Sequence, residues 1–364
     1  MRFPSFVSLL AMAGVLNLAV KIAQSAPGGE ILSVSHYKVL EPIRHGNLAV
    51  FPVVAAISHD TQEFLTLDEG LRSGEVVVSE SGSIAPLVRP RHDGIPTRRG
   101  YGPQVNQLVL VNNSKRPLIL LAGEIVTGGK QDRVIGKDRL VPAESDPIDL
   151  GVFCVEPGRW TGPKTSFDAT GSPMAAPGVR AKAMADKDQG KVWSEVRDSQ
   201  ARASAQLTAP MAAAVNGTTS YATVMQNEEV EQKLDTVAAP MEHDYQSLIK
   251  QLRDRHAVGV VVAVNGEIIW ADMFASTDLL QKYWPKLVRS YAAEAFVSRS
   301  KSQEVDAKAA QQFLEDFEGH RETVETEPGL YRHTEITGDS FKAFELTSLL
   351  PKTGFDLHVA KMAD

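Results

Sequence analysis

Short apolar runs separated mostly by glycine, proline, asparagine or aspartate dominate the first part of the chain. The runs at 31–40, 48–57, 75–78, 107–111, 118–125 and 148–155 are β-branched or aliphatic and predict strands. One short helix is predicted at 67–73, where LDEGLRS has helical spacing and Gly74 suits a C-terminal cap. The pattern then changes. Residues 162–190 hold four glycines, Pro163, Pro173 and Pro177 and few large apolar side chains, which predicts a long surface loop or lid. A helix is expected at 191–205, with Val192, Trp193 and Val196 on one face, followed by a second Ala/Pro/Gly/Thr-rich patch at 206–220.

Beyond that point helical and alternating patterns mix. Helices are predicted at 223–237, 244–255 and 303–317, and at 284–298 with Pro285 in the first turn. Asn265-Gly266 between the apolar runs 258–264 and 267–274 is the signature of a two-residue type I′ hairpin. Strands return at 330–336, 340–346 and 355–359. The expected fold is α+β: largely antiparallel sheet with helices packed on it and a long Gly/Pro/Ala-rich insertion loop. The expected layout is one domain over 26–364, with a strand-rich half at 30–160, an insertion at 162–222 and a helix and hairpin half at 223–364.

The extreme N-terminus follows different rules. Arg2, the apolar stretch from Phe6 to Val20, and Ala23 and Ser25 before Ala26 have the form of a cleavable export signal. The stretch is shorter than the roughly 20 residues of a spanning helix. Residues 1–25 are therefore read as a signal peptide, the mature protein as periplasmic or extracellular, and an uncleaved membrane anchor as the alternative. Net charge is −7, and −9 without Arg2 and Lys21, which argues against nucleic-acid and anionic-membrane surfaces. The single cysteine, Cys154, sits among apolar residues and reads as a buried small hydrophobe.

Familiar catalytic and cofactor motifs fail on spacing. At 131–138 Gln131 stands where a phosphate loop needs glycine, and Asp138 where it needs serine or threonine. No dinucleotide fingerprint, serine-nucleophile elbow or zinc-type His/Cys pairing is present, so no cofactor and no metal are expected. The basic loop at 89–102, with Arg89, Arg91, His92, Arg98 and Arg99, reads either as a solvated loop or as one wall of an anion site.

One stretch gathers chemistry. After the run 118–122 come Glu124, the Gly128-Gly129 pair, then Lys130, Gln131, Asp132 and Arg133. Glu124 and Asp132 are the candidate acid/base carboxylates. Lys130 and Arg133 can clamp an anion, and Gln131 can orient it. Glu156, Arg159 and Trp160 place a second charged pair beside an aromatic just after another buried strand. On a flat strand 130–133 would alternate faces, so convergence requires a bulged turn. The competing reading is an exposed hairpin tip carrying solubilising charges, in an exported scaffold or protein-interaction module whose partner the sequence does not name.

AGEIVTGGKQDR, FCVEPGRW, QGKVW, VVVAVNGEIIWADMF and YWPKLVRSYAAEA, in that order, resemble the ARG and rhodanese-phosphatase-superfamily-associated protein domain, from about residue 31 to the C-terminus. The resemblance implicates Glu124, Lys130, Gln131, Arg133, Glu156, Arg159 and Trp160. The family's name implies phosphorylated or nucleotide-derived ligands, so the expected function is binding or hydrolysis of a small anionic molecule.

Overall fold

The structure is a computed structural model that describes residues 37–81, 104–160, 164–168, 174–298 and 304–364. The signal segment 1–25 and the basic loop 89–102 lie outside the described residues. The strands of the first half are β1 (Tyr37–Val39), β2 (Ile43–His45), β3 (Leu48–Ala55), β4 (Leu65–Thr66), β5 (Val76–Glu80), β6 (Gln107–Asn112), β7 (Leu118–Leu120), β8 (Ile125–Gly128), β9 (Arg133–Ile135), β10 (Arg139–Val141), β11 (Ile148–Cys154) and β12 (Phe167–Asp168), with helix α1 (Leu67–Ser73) after β4. The second half holds α2 (Pro177–Ala181), a π-helical turn (Lys182–Asp186), α3 (Gln189–Ser204), α4 (Ala209–Asn216), α5 (Tyr221–Met225), α6 (Glu228–Gln251), β13 (His256–Val264), β14 (Glu267–Phe274), α7 (Thr277–Val297), α8 (Ala307–Glu315), β15 (His320–Glu327), β16 (Tyr331–Thr337), β17 (Phe341–Ser348) and β18 (Asp356–Ala363).

The α+β expectation is borne out. A nine-stranded sheet runs β1-β3-β13-β14-β18-β17-β16-β15, with β2 also on β3, and every described pairing in it is antiparallel. Leu279, Tyr283, Leu287 and Tyr291 of α7 and Leu234, Ala238, Met241 and Tyr245 of α6 fill the core on one face of this sheet. Ala310 and Leu314 of α8 cover part of the other face. A six-stranded antiparallel sheet, β12-β8-β9-β11-β6-β5, and a three-stranded one, β10-β7-β4, enclose a second core around Leu110, Leu120, Ile135 and Val152. The Asn265-Gly266 hairpin forms as expected, both residues at positive φ (55° and 77°).

Four expectations on element boundaries fail, each for a packing reason. Residues 174–190 are not a surface loop: Met174, Ala175, Ala176, Val179, Arg180, Ala183 and Met184 are buried in α2, the π-turn and the segment before them. Small side chains hid a segment whose role is close packing. The second patch, 206–220, contains helix α4. The two helices expected at 223–237 and 244–255 are largely one, α6, which runs through Pro240; the stripe Leu234, Ala238, Met241, Tyr245 is buried continuously across the proline. Helix α7 starts seven residues earlier than expected, at Thr277 with Ser276 as its N-cap, and also runs through its proline, Pro285. The polar edge strand β15 carried no apolar alternation to announce it.

Candidate functional site

The strand expected over 118–125 breaks at 121–124, where the chain crosses from the three-stranded to the six-stranded sheet. Gly123 makes the break, with φ 96°, and a Cβ there would stand 2.5 Å from Cγ of Arg180. Farther on, Gly128 (φ 121°) and Gly129 (φ 50°) turn the chain between β8 and β9. A Cβ on Gly129 would meet the Phe167 ring at 2.1 Å, so glycine is required by space as well as by φ.

Asp132 holds this turn shut. Its Oδ1 accepts from Gly128 N–H at 3.1 Å, and its Oδ2 accepts from the Ser220 hydroxyl at 2.7 Å. Glu156 Oε2 accepts from Asp132 N–H at 3.1 Å, Gln131 Nε2 donates to the Glu156 carbonyl at 3.2 Å, and Lys130 N–H donates to Glu80 Oε1 at 2.7 Å. Arg159 Nη1 grips both Glu156 oxygens at 2.8 and 2.9 Å. Residues 129–132 are thus a folded turn, and the flat-strand alternation does not apply. The hairpin-tip alternative also fails locally, because Gln131, Asp132, Arg133 and Glu156 are all buried.

Arg133 opens β9, between Val126 of β8 and Cys154 of β11. It is fully buried, and burial pulls its guanidinium below the usual arginine range against the attraction of Glu80, Asp132 and Glu156. Nη1 donates to its neighbour's carbonyl, Asp132 O, at 3.4 Å, but Nε and Nη2 have no hydrogen-bond partner among the described residues. Two acceptors in the same corner are also unmatched: Glu80 Oε2 and Gln131 Oε1. The Trp160 ring lies 5.8 Å from the guanidinium and is 43% exposed, which makes it the solvent-facing wall of the corner. Cys154 is buried, and desolvation pushes its thiol up, which keeps it protonated and unreactive.

Glu124 is elsewhere. Its Oε2 accepts from Leu121 N–H at 2.8 Å, and Lys286 Nζ of α7 lies 3.2 Å from Oε1 and 2.7 Å from Asp68. Burial pushes the Glu124 carboxyl up, opposed by the Lys286 ammonium. Lys286 lines a cavity of about 170 Å³ with Met174, Tyr221, Met225 and Leu234. No hydrogen bond or ion pair among the described residues joins Glu124 to the 130–133 turn. The single constellation expected of Glu124 with Lys130, Gln131 and Arg133 is therefore two places, because the Gly123 break sends Glu124 toward α7 while β9 sends Arg133 toward β11. Among the described residues no group of three or more His, Cys, Asp or Glu is placed to hold a metal ion, and no helix is long and apolar enough to cross a membrane.

Sequence reasoning missed several partners. Glu80 carries the signal that singled out Glu124, a carboxylate at the end of an apolar run, but Lys286 and Ser220 carry none. It also missed a second charged cluster, enclosed in the main core. Arg180 binds Asp272 through two bonds of 2.9 and 3.0 Å; His358 bridges Asp272 (3.1 Å) and Asp138 (2.5 Å); Tyr291 donates to Asp272. Lone Asp272 and His358 inside apolar strands were the available signs.

A family profile, the ARG and Rhodanese-Phosphatase-superfamily-associated Protein domain, matches residues 36–360. The chain belongs to this family. No curated protein and no solved structure matches it. The profile spans both the Arg133 corner and the Asp272 cluster, so neither is an appendage to the family's domain.

Proposed function

We propose that this family member binds a small oxyanion ligand, a carboxylate or phosphate, at Arg133. One observation carries the reading: a fully buried guanidinium whose Nε and Nη2 lack partners among the described residues. Those two groups share one edge of the planar guanidinium, the fork that fits two oxygens of a carboxylate or phosphate. A buried charged donor left unmade costs on the order of 1–3 kcal/mol, so such a fork is retained where something fills it. Gln131, Asp132, Glu156 and Arg159 act as the frame of the turn, since their bonds are made to one another, to Ser220 and to the backbone. This centres the oxyanion contact within the expected set on Arg133, beside the Trp160 wall, and leaves Asp132 with both oxygens engaged. No acid/base step is assigned to Glu124, which is paired with Lys286. The signal-like residues 1–25 support a site working outside the cytoplasm.

The test is thermal unfolding of the protein with phosphate, sugar phosphates, nucleotides, ADP-ribose and dicarboxylates, beside Arg133→Lys. A ligand that binds the native state raises the melting temperature, and the lysine variant, without a fork, should lose that rise. A panel in which nothing shifts, or in which the variant responds like the parent, sinks the reading.

A further inference from the structure

Resting on that reading, we infer that the ligand is a hydroxyl-bearing oxyanion of the sugar-phosphate or sugar-acid class, bridging Arg133 to the open acceptors Glu80 Oε2 and Gln131 Oε1. The charges of the corner come first. Lys130, Arg133 and Arg159 stand against Glu80, Asp132 and Glu156, all gathered at one turn and its supports. The signs balance, so a bare anion gains little from the overall field and must gain from hydrogen bonds instead.

Donors and acceptors are both left over. Arg133 attracts Glu80, yet no ion pair closes between them, and neither Glu80 Oε2 nor Gln131 Oε1 takes a bond from the arginine. A fully ionised oxyanion can satisfy the Arg133 fork but cannot donate to the two acceptors, and the Glu80 carboxylate facing it would repel it. Hydroxyl groups on the same molecule supply the missing donors. The rim agrees, because the partly exposed Trp160 face beside Arg133 offers a flat apolar surface for the C–H side of a sugar ring. The open atoms themselves are shut off from solvent, so a ligand reaches them only when the corner opens. Bridging water is the rival occupant, since it also both donates and accepts.

Calorimetric titration with glucose 6-phosphate, ribose 5-phosphate, inorganic phosphate and glucose separates these outcomes on the parent, Arg133→Lys and Glu80→Gln. Glu80→Gln keeps an oxygen for Lys130 N–H while replacing the open acceptor by a donor. The sugar phosphates should bind at least about tenfold more tightly than inorganic phosphate, the loss expected when a hydrogen bond to a charged group is absent. Glu80→Gln should erase that preference while phosphate binds as tightly as to the parent, or more tightly once the repelling charge is gone, and Arg133→Lys should weaken both. Inorganic phosphate binding as tightly as the sugar phosphates would overturn this inference while leaving the oxyanion site standing. Glucose binding as tightly as its phosphate would overturn the oxyanion site. No binding by any probe, with crystals showing a fixed water between Arg133 and Glu80, would overturn both.

Discussion

Two buried arginines in this protein face opposite situations. Arg180 lies in the main core with its charge met end-on by Asp272, and His358 continues the chain of bonds to Asp138. Two cations and two carboxylates close on one another, and Trp270 stacks 4.4 Å from the Arg180 guanidinium. Arg133 is as deeply buried, but among the described residues its side-on fork, Nε and Nη2, meets nothing, whereas Arg180 leaves only Nε unmatched. Burying a charge is tolerable only when it is paired and hydrogen-bonded. The closed cluster obeys that rule from within the chain and ties α2, α7, β14, β18 and the loop before β10 together. The open corner obeys it only with a visitor, and that is why function is placed there.

The comparison breaks most sharply by mutation. Arg180→Met leaves Asp272 in the core with only His358 and Tyr291, and the unfolding free energy should fall by about 3 kcal/mol. Urea denaturation with unchanged slope would report it; a loss below about 1 kcal/mol would remove the cluster's structural standing. Glu124→Ala should cost about 2–3 kcal/mol, less because Lys286 keeps Asp68. Gly123→Ala forces a methyl against Arg180 at positive φ, and a loss of about 1–3 kcal/mol is expected, relieved in part when combined with Arg180→Met.

The cluster also sets a pH dependence. Asp138 and Asp272 raise the His358 imidazole to about 9 against its own desolvation. The folded state therefore keeps a proton that the unfolded chain releases near 6.5. This contribution is fully present below about 6.5 and is lost as pH rises through about 9, so His358→Gln should flatten the stability profile across that window. A variant whose profile falls as steeply as the parent's would place the titration elsewhere. The smallest expected change in stability is at the open corner: Arg133→Met removes a charge with no ion partner and should shift stability by less than about 1 kcal/mol while abolishing ligand binding. A loss as large as that of Arg180→Met would make the two arginines equivalent and the corner structural.

Much of this was legible from residue order. Strand runs, the Asn265-Gly266 hairpin, the cap at Gly74 and the glycine turn at 128–129 are local patterns, and local sterics decide them. The misreadings fall where neighbours outvote local preference. Residue spacing predicts a helix break over 238–243 and a helix start beside Pro285, yet buried stripes carry α6 through Pro240 and α7 through Pro285. Residues 174–190 read as loop because glycine, alanine and proline have weak local signals, and only their fit beneath α3 and α7 makes them core. The sequence by itself determined most element types, the family and a short list of unusual polar residues, because these depend on spacing of a few residues. Only the tertiary structure decided that Glu124 and Arg133, nine positions apart, belong to different sites, and that Arg180 is answered while Arg133 is not. Partners such as Lys286, Ser220 and Asp272 arrive from far along the chain, and whether a buried charge is satisfied is a property of where they end up.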